Sequence, residues 1–170
     1  MRIACAAVIV AAMAAPAAAQ GPTTAALKGQ YEMIKGNITK TAEKVPEDLY
    51  AFKPTPEVRS LGQLIGHIAD ASAMFCSRAV GAAPPTESAE KTKTSKADLQ
   101  KALAASFAAC DAAYAGMTDA KAAESVDLFG MQQTRLAVLA FNTAHDFEHY
   151  GNLVTYMRLK NIVPPSSEKK

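Results

Sequence analysis

Apolar residues recur every three or four positions along most of this 170-residue chain, and this spacing constrains its fold more than any other feature. Such a period places the apolar side chains on one face of an α-helix. Alanine is abundant, which favours helix further. We find no alternation of apolar and polar residues of the kind that marks a strand. The pattern predicts an all-α protein, most simply a four-helix bundle.

Proline and glycine divide the helical pattern into four segments. Pro46 ends the first helix and Gly81 ends the second, while residues 81–94 and 118–130 form loops. The fourth segment is apolar nearly all round, which predicts a central, buried helix. The four predicted helices are 24–44, 60–80, 95–117 and 131–160, the last beginning near either Met131 or Thr134.

The first nineteen residues are typical of a secretory signal peptide. Arg2 supplies a positive start, residues 3–15 are an apolar run too short to span a membrane, and residues 17–19 form a small-residue cleavage site. An uncleaved anchor or a buried helix is the alternative. We therefore expect cleavage before Gln20, a mature domain of residues 20–170, and bacterial export to the periplasm or the medium without membrane association.

Charge and cysteine content narrow the function further. The formal net charge is +2 and the basic residues are dispersed, so nothing favours a nucleic-acid partner. Cys76 and Cys110 remain after cleavage, each on the apolar face of a predicted helix. An oxidising compartment permits a disulfide between them, but we expect two buried thiols, because cysteine on such a face behaves as a small hydrophobe.

The chain has three histidines, and their placement suggests a metal site. His145 and His149 are four residues apart and therefore lie on one face of the fourth helix. His67 lies on the flank of the apolar face of the second helix. A divalent cation satisfies several buried imidazoles at once, and neutral imidazoles suit Zn, Ni or Fe. Spacing alone leaves open that these histidines are ordinary core or surface residues.

Polar side chains lie within a turn of the histidines in the sequence. Asp70, Asp146 and Glu148 are candidate catalytic residues that would transfer protons beside the metal. A solvated or locally paired role is equally expected for Asp146 and Glu148. Three amides are candidates to orient the histidines: Gln63, Asn142 and Asn152.

Two blocks of this sequence resemble the DinB/YfiT superfamily of metal-dependent enzymes. They are FKPTPEVRSLGQLIGH at 52–67 and FNTAHDFEHYGN at 141–152, followed by YMRLK and IVPP. The resemblance implies an up-down-down-up bundle whose metal ligands are His67, His145 and His149. That course requires a long crossover between the second and third helices. The linker 81–94 could reach roughly 45 Å, more than the roughly 30 Å of a twenty-residue helix.

Known members of that superfamily include thiol-dependent transferases and isomerases, and others are described as hydrolases. The resemblance therefore implies a metal-dependent hydrolase or thiol-transferase-type enzyme with a small-molecule substrate. Two other functions remain open: a non-catalytic metal- or ligand-binding bundle, such as a stress or envelope protein, and a plain helical module. A homodimer is compatible with each of them.

Overall fold

Four long helices make up most of the structure, a computed structural model that describes residues 20–169. They pack together, as the sequence predicted. The predicted signal peptide, residues 1–19, lies outside the described residues and stays a prediction. Within residues 20–169, no helix combines the length and apolar character needed to cross a bilayer. In chain order the elements are α1 (Pro22–Lys44), a 3₁₀-helix (Glu47–Ala51), α2 (Leu61–Val80), α3 (Ala89–Thr92), α4 (Lys96–Ala115), α5 (Asp119–Ala122), β1 (Ser125–Leu128), β2 (Met131–Thr134), α6 (Arg135–Leu159) and a second 3₁₀-helix (Pro165–Ser167).

The long helices follow the up-down-down-up course that the resemblance implied. Tyr31 in the first half of α1 stacks on Tyr114 near the end of α4, with ring centroids 4.0 Å apart. Gln100 near the start of α4 donates a hydrogen bond to the carbonyl of Ala42 near the end of α1, at 3.0 Å, so these helices are antiparallel. Arg135 at the start of α6 donates a hydrogen bond to the carbonyl of Ala79 near the end of α2, at 2.7 Å. α6 is therefore antiparallel to α2, and it is the pair α2–α6 that carries the histidines.

α2 and α4 run parallel, and this brings two cysteines together. Gly62 lies against Leu99 near the start of both helices. Further along, Cys76 and Cys110 form a disulfide, with Cα atoms 5.1 Å apart. The expectation of two buried thiols was wrong, because the register between two helices is a tertiary property that periodicity within each helix does not reveal.

Two local signals fix where α2 begins and ends. The Ser60 side chain accepts a hydrogen bond from the amide of Gln63, and the Gln63 side chain accepts one from the amide of Ser60. Such a cap stabilises a helix by about 1 kcal/mol. Gly81 adopts a φ of 79°, the left-handed conformation that ends helices. These two signals determine the start and the end of α2, the helix that carries His67.

The region predicted as a loop at 118–130 contains regular structure. β1 and β2 form an antiparallel hairpin whose turn is Phe129–Gly130, with φ values of 56° and 78°. The expectation of no strand was therefore wrong, because a four-residue strand is too short to show an alternating pattern. Thr134 then caps α6 by accepting from the amide of Ala137. Of the two predicted starts for the fourth helix, the one near Thr134 is confirmed.

α6 is not buried on every side, contrary to the prediction. Leu153 and Met157 are fully buried in the core, whereas Phe141, Phe147 and Leu159 are between 41% and 57% exposed. The helix packs on α1 and α2 and leaves one face to solvent. Apolar residues on that face therefore reflect something other than core packing, and Phe141 lines a cavity described below.

Candidate metal centre

The three histidines converge between α2 and α6. The Nε2 atom of His145 lies 3.3 Å from Nε2 of His67 and 3.0 Å from Nε2 of His149. One ligand atom from each of the three lies within 4.8 Å of the others, an arrangement that could hold a metal ion. Two nitrogens bound about 2.0–2.1 Å from a tetrahedral zinc ion are about 3.3 Å apart. The observed spacing therefore fits three ligands on one cation.

Burial favours the neutral form of His145 and His149, which is the form that binds metals. Desolvation, together with the positive charges that His149, His67 and Arg59 can carry, lowers the pKa of His145 to about 4. Desolvation also lowers the pKa of His149, and the neighbouring His67 acts in the same direction. Both shifts favour neutral imidazoles on α6, and neutral imidazoles can receive a cation without first losing a proton.

Glu90 orients His67 and was missed by the sequence analysis. Its Oε2 atom lies 3.0 Å from Nδ1 of His67, and its Oε1 atom accepts a hydrogen bond from Nε of Arg59 at 2.8 Å. Burial alone would raise the pKa of this carboxyl, but the hydrogen bonds from Arg59 and His67 lower it. An ionised carboxylate holds the proton of His67 on Nδ1, which leaves the lone pair of Nε2 free for a metal.

Glu90 of the linker can approach His67 because the neighbouring residue of α2, Gly66, has no side chain. A methyl group on Gly66 would lie 2.7 Å from Cα of Glu90 and 2.8 Å from its backbone nitrogen. Any larger residue would therefore push α3 away from α2. A sequence signal for α3 does exist, since Ser88 caps it by accepting from the amide of Lys91. The helix is only one turn long, however, and has no period from which to infer it.

Asp70, predicted as a catalytic residue, holds α3 in place. Its carboxylate accepts hydrogen bonds from the hydroxyl of Ser88 at 2.6 Å and from the amides of Ala89 and Glu90 at 2.7 and 3.1 Å. It also lines the cavity beside the histidines. Through these bonds Asp70 positions Glu90, and its role in catalysis stays a prediction.

The other two candidate carboxylates point elsewhere. Asp146 is fully buried and accepts hydrogen bonds from Ser72 at 3.2 Å and from Asn142 at 3.4 Å. Burial raises the pKa of Asp146 to about 7. Glu148 is exposed to solvent. Neither residue hydrogen-bonds to a histidine among the described residues, so their proposed roles in proton transfer also stay predictions.

One of the three candidate amides reaches the cluster. Nδ2 of Asn152 lies 3.3 Å from Nδ1 of His149. Rotating that amide by 180° presents its oxygen, which would accept a hydrogen bond from Nδ1–H and leave the lone pair of Nε2 free. Nδ1 of His145 is buried and has no partner among residues 20–169. Gln63 caps α2 instead, and Asn142 lies in the core.

A cavity of about 510 Å³ opens beside the cluster, with His67 and His145 in its wall. Its volume lies in the range of small-molecule binding sites. Apolar side chains dominate the rest of the lining, and they include Met74, Phe75, Phe129 and Phe141. A molecule in this cavity would therefore reach the histidines from an apolar environment.

Comparisons of the sequence and of the structure with known proteins identify the same family. Residues 30–153 match the DinB superfamily. The Bacillus subtilis protein named "Uncharacterized protein YjoA" is 29% identical over 128 residues, which span 72% of this chain and 81% of YjoA. The crystal structure of a DinB-like protein from Bacillus cereus covers 82% of this chain and 93% of its own, with a TM-score of 0.70 and 17% identity.

The crystal structure of the DinB-like protein YjoA from Bacillus subtilis also has this fold. It covers 85% of this chain and 99% of its own, with a TM-score of 0.65 and 20% identity. The two structural matches show the fold alone. The match over residues 30–153, which includes all three histidines, shows that this chain belongs to the DinB superfamily.

Proposed function

We propose that this protein is an exported metal-dependent enzyme, a hydrolase or thiol-transferase-type catalyst, in which His67, His145 and His149 hold one divalent cation. The observation that carries the proposal is the convergence of three Nε2 atoms, with neighbouring pairs 3.0 and 3.3 Å apart, beside an open cavity that His67 and His145 line. Zn, Ni and Fe fit this donor set. Three neutral ligands leave the ion its full charge and leave positions open, so it would supply Lewis acidity to a small substrate.

The residues of the chain prepare this site in three ways. Glu90 keeps the proton of His67 on Nδ1, and Asn152 can do the same for His149. The apolar wall of the cavity excludes water and strengthens electrostatic interactions near the histidines. Asp70 lines the cavity and is the carboxylate that we propose for proton transfer, although three hydrogen bonds already engage it.

The disulfide supports the proposed export. Structural disulfides persist in oxidising compartments such as the periplasm and are rare in the cytosol, where thiols are kept reduced. Cys76 and Cys110 lie within bonding distance in the core, and residues 1–19 have the composition of a signal peptide. Export favours hydrolysis over the use of a reduced small thiol. Fractionation of cells, with the first residue of the purified protein determined, should find it outside the cytoplasm and beginning at Gln20.

Metal analysis of the purified protein tests the proposed site. We expect about one divalent cation per chain in the unaltered protein and almost none in His145→Ala. Thr155→Ala is the matched control, because Thr155 is an exposed residue of the same helix. Unchanged metal content in His145→Ala, with the fold intact by circular dichroism, would disprove the metal site.

A non-catalytic metal- or ligand-binding bundle is the second candidate. It is favoured by the positions of the carboxylates: Asp146 is hydrogen-bonded in the core, Glu148 is exposed, and Asp70 caps α3. Both candidates predict a bound metal, so turnover distinguishes them. A metal-loaded protein that binds small molecules but hydrolyses no ester or amide in a broad panel, and transfers no thiol, would support the second candidate.

A further inference from the structure

The cavity beside the histidines has few free polar groups. Both carboxylates in its lining are already paired, since Asp70 accepts hydrogen bonds from α3 and Glu87 forms an exposed ion pair with Lys93 at 2.8 Å. The Ser88 hydroxyl donates to Asp70, so the polar groups left to orient a ligand are the exposed Thr86 hydroxyl and the ring nitrogens of His67 and His145. A molecule in this cavity would therefore place a metal-binding group at the histidines and something else against the remaining wall.

The remaining wall is aromatic. The ring of Phe75 is buried, and its centroid lies 5.6 Å from that of His145, 5.1 Å from that of Phe141 and 6.1 Å from that of Phe129. These separations are typical of interacting aromatic pairs. Phe141 and Phe129 are 50% and 67% exposed. A continuous run of rings therefore extends from the histidines to solvent and leaves apolar surface for a ligand to cover.

Phe129 occupies a position that its backbone does not favour. It is the first residue of the two-residue hairpin turn, with a φ of 56°, where asparagine, aspartate or glycine is preferred. Its ring is not part of the core. Neither turn geometry nor core packing therefore explains a phenyl group here. Its place in the cavity wall does explain it, since residues in disfavoured backbone conformations concentrate at ligand sites.

We propose that this cavity binds an apolar, ring-bearing portion of the substrate, whose metal-binding group reaches the histidines, and that Phe129 determines specificity for that portion. The inference rests on the proposed function, because it takes the metal site as the anchor of the ligand. It adds the class of substrate: a small molecule with an aromatic or similarly bulky apolar group next to a polar reacting group. The largely apolar lining disfavours charged or fully polar molecules of the same size.

Two hydroxamates test the inference, because they share a metal-binding group and differ in the apolar part. Acetohydroxamate and benzohydroxamate are titrated into protein loaded with Co²⁺, and binding is followed by the visible absorption of the cobalt. We expect benzohydroxamate to bind roughly 10-fold more tightly or better, since burial of a phenyl ring contributes favourably. In Phe129→Ala, that preference should fall at least several-fold, with metal content and acetohydroxamate affinity unchanged.

Two further variants control this experiment. Phe147→Ala removes a phenylalanine from α6 that is 41% exposed and does not line the cavity, so the preference should persist. Phe129→Asn removes the ring with a residue that suits the turn, which separates loss of the ring from distortion of the hairpin. Equal affinity for both hydroxamates, or a preference that survives both Phe129 variants, would overturn the inference while leaving the metal site standing. Failure of the protein to bind Co²⁺ would instead refute the proposed function.

Discussion

Two polar clusters lie side by side between α2 and α6, and they differ in how their atoms are satisfied. The histidine cluster consists of His67, His145 and His149. The inner cluster consists of Ser72, Tyr114, Asn142, Thr143 and Asp146. His145 and Asp146 are neighbours in the sequence, yet one belongs to each cluster.

In the inner cluster, donors meet acceptors. The hydroxyl of Tyr114 donates to the carbonyl of Leu139 at 2.7 Å and accepts from the Asn142 amide at 3.1 Å, while Ser72 donates to Asp146 at 3.2 Å. One atom, Oδ1 of Asn142, has no partner among the described residues. This cluster is therefore held together by its own hydrogen bonds and needs no ligand.

In the histidine cluster, ring nitrogens converge, and Nε2 of His145 can form a hydrogen bond with only one of its two histidine neighbours. Glu90 holds the proton of His67 on the far side of its ring, so the lone pair of Nε2 points at the other imidazoles. Such an arrangement is costly unless a cation lies among the nitrogens. The comparison teaches how to distinguish the two kinds of cluster. A structural polar cluster pairs its donors with its acceptors, whereas several ring nitrogens that converge on one point indicate a metal site.

Metal removal should produce the largest difference between the clusters. A ligand that binds only the folded state at about 1,000 times its Kd stabilises by about 4 kcal/mol. We expect Zn²⁺ to raise the Tm of the metal-free protein by several degrees, and to have no such effect on His145→Ala. Calorimetry with and without a chelator measures this. Tyr114→Phe, in the inner cluster, should keep the full rise in Tm on addition of Zn²⁺. Loss of that rise would show that the two clusters are not independent.

Loss of the disulfide should lower the stability of the protein and leave metal binding almost unchanged. Cys76→Ala together with Cys110→Ala opens a link between positions 34 residues apart, which costs about 2–4 kcal/mol. Since the bond joins α2 to α4 and the histidines lie between α2 and α6, the Kd for metal should change little. Denaturant unfolding and a metal titration of the same variant provide both values. A large loss of metal affinity would mean that the disulfide also sets the spacing of the histidines.

Removal of the carboxylate that orients His67 should weaken metal binding without abolishing it. Glu90→Gln is expected to reduce metal affinity about 10–100-fold, because it releases the proton of His67 from Nδ1. Glu87→Gln is the matched control, since Glu87 lies in the same linker and pairs with Lys93 rather than with a histidine. Competition with a metal-binding dye measures both affinities. Equal values would show that Glu90 has no part in the site.

The smallest effect is expected in the inner cluster. Ser72→Ala leaves buried Asp146 without one of its donors and should lower the free energy of unfolding by about 1–3 kcal/mol. Metal affinity should stay the same, because Ser72 does not contact a histidine. Urea unfolding measures the first quantity and a metal titration the second. A change in metal affinity alone, with stability unaltered, would reverse the assignment of the two clusters.

Much of the fold follows from patterns within single segments. The 3.6-residue period locates all four long helices to within a few residues, and Ser60, Gly81 and Thr134 mark the ends of two of them. The hairpin and α3 did not follow, because elements of four residues are shorter than any period that would reveal them. These two short elements supply Phe129 and Glu90, so the parts of the site that were missed are those carried by short elements.

The sequence by itself determined which residues are the candidate ligands, since it contains three histidines and places two of them four residues apart on one helix. Only the tertiary structure decided that His67 meets them, that Asp146 turns into the core and that Glu90 arrives from the linker. It also joined Cys76 to Cys110. The physical reason is that spacing along a helix sets which side chains share a face, whereas the register and distance between helices depend on packing across the whole core.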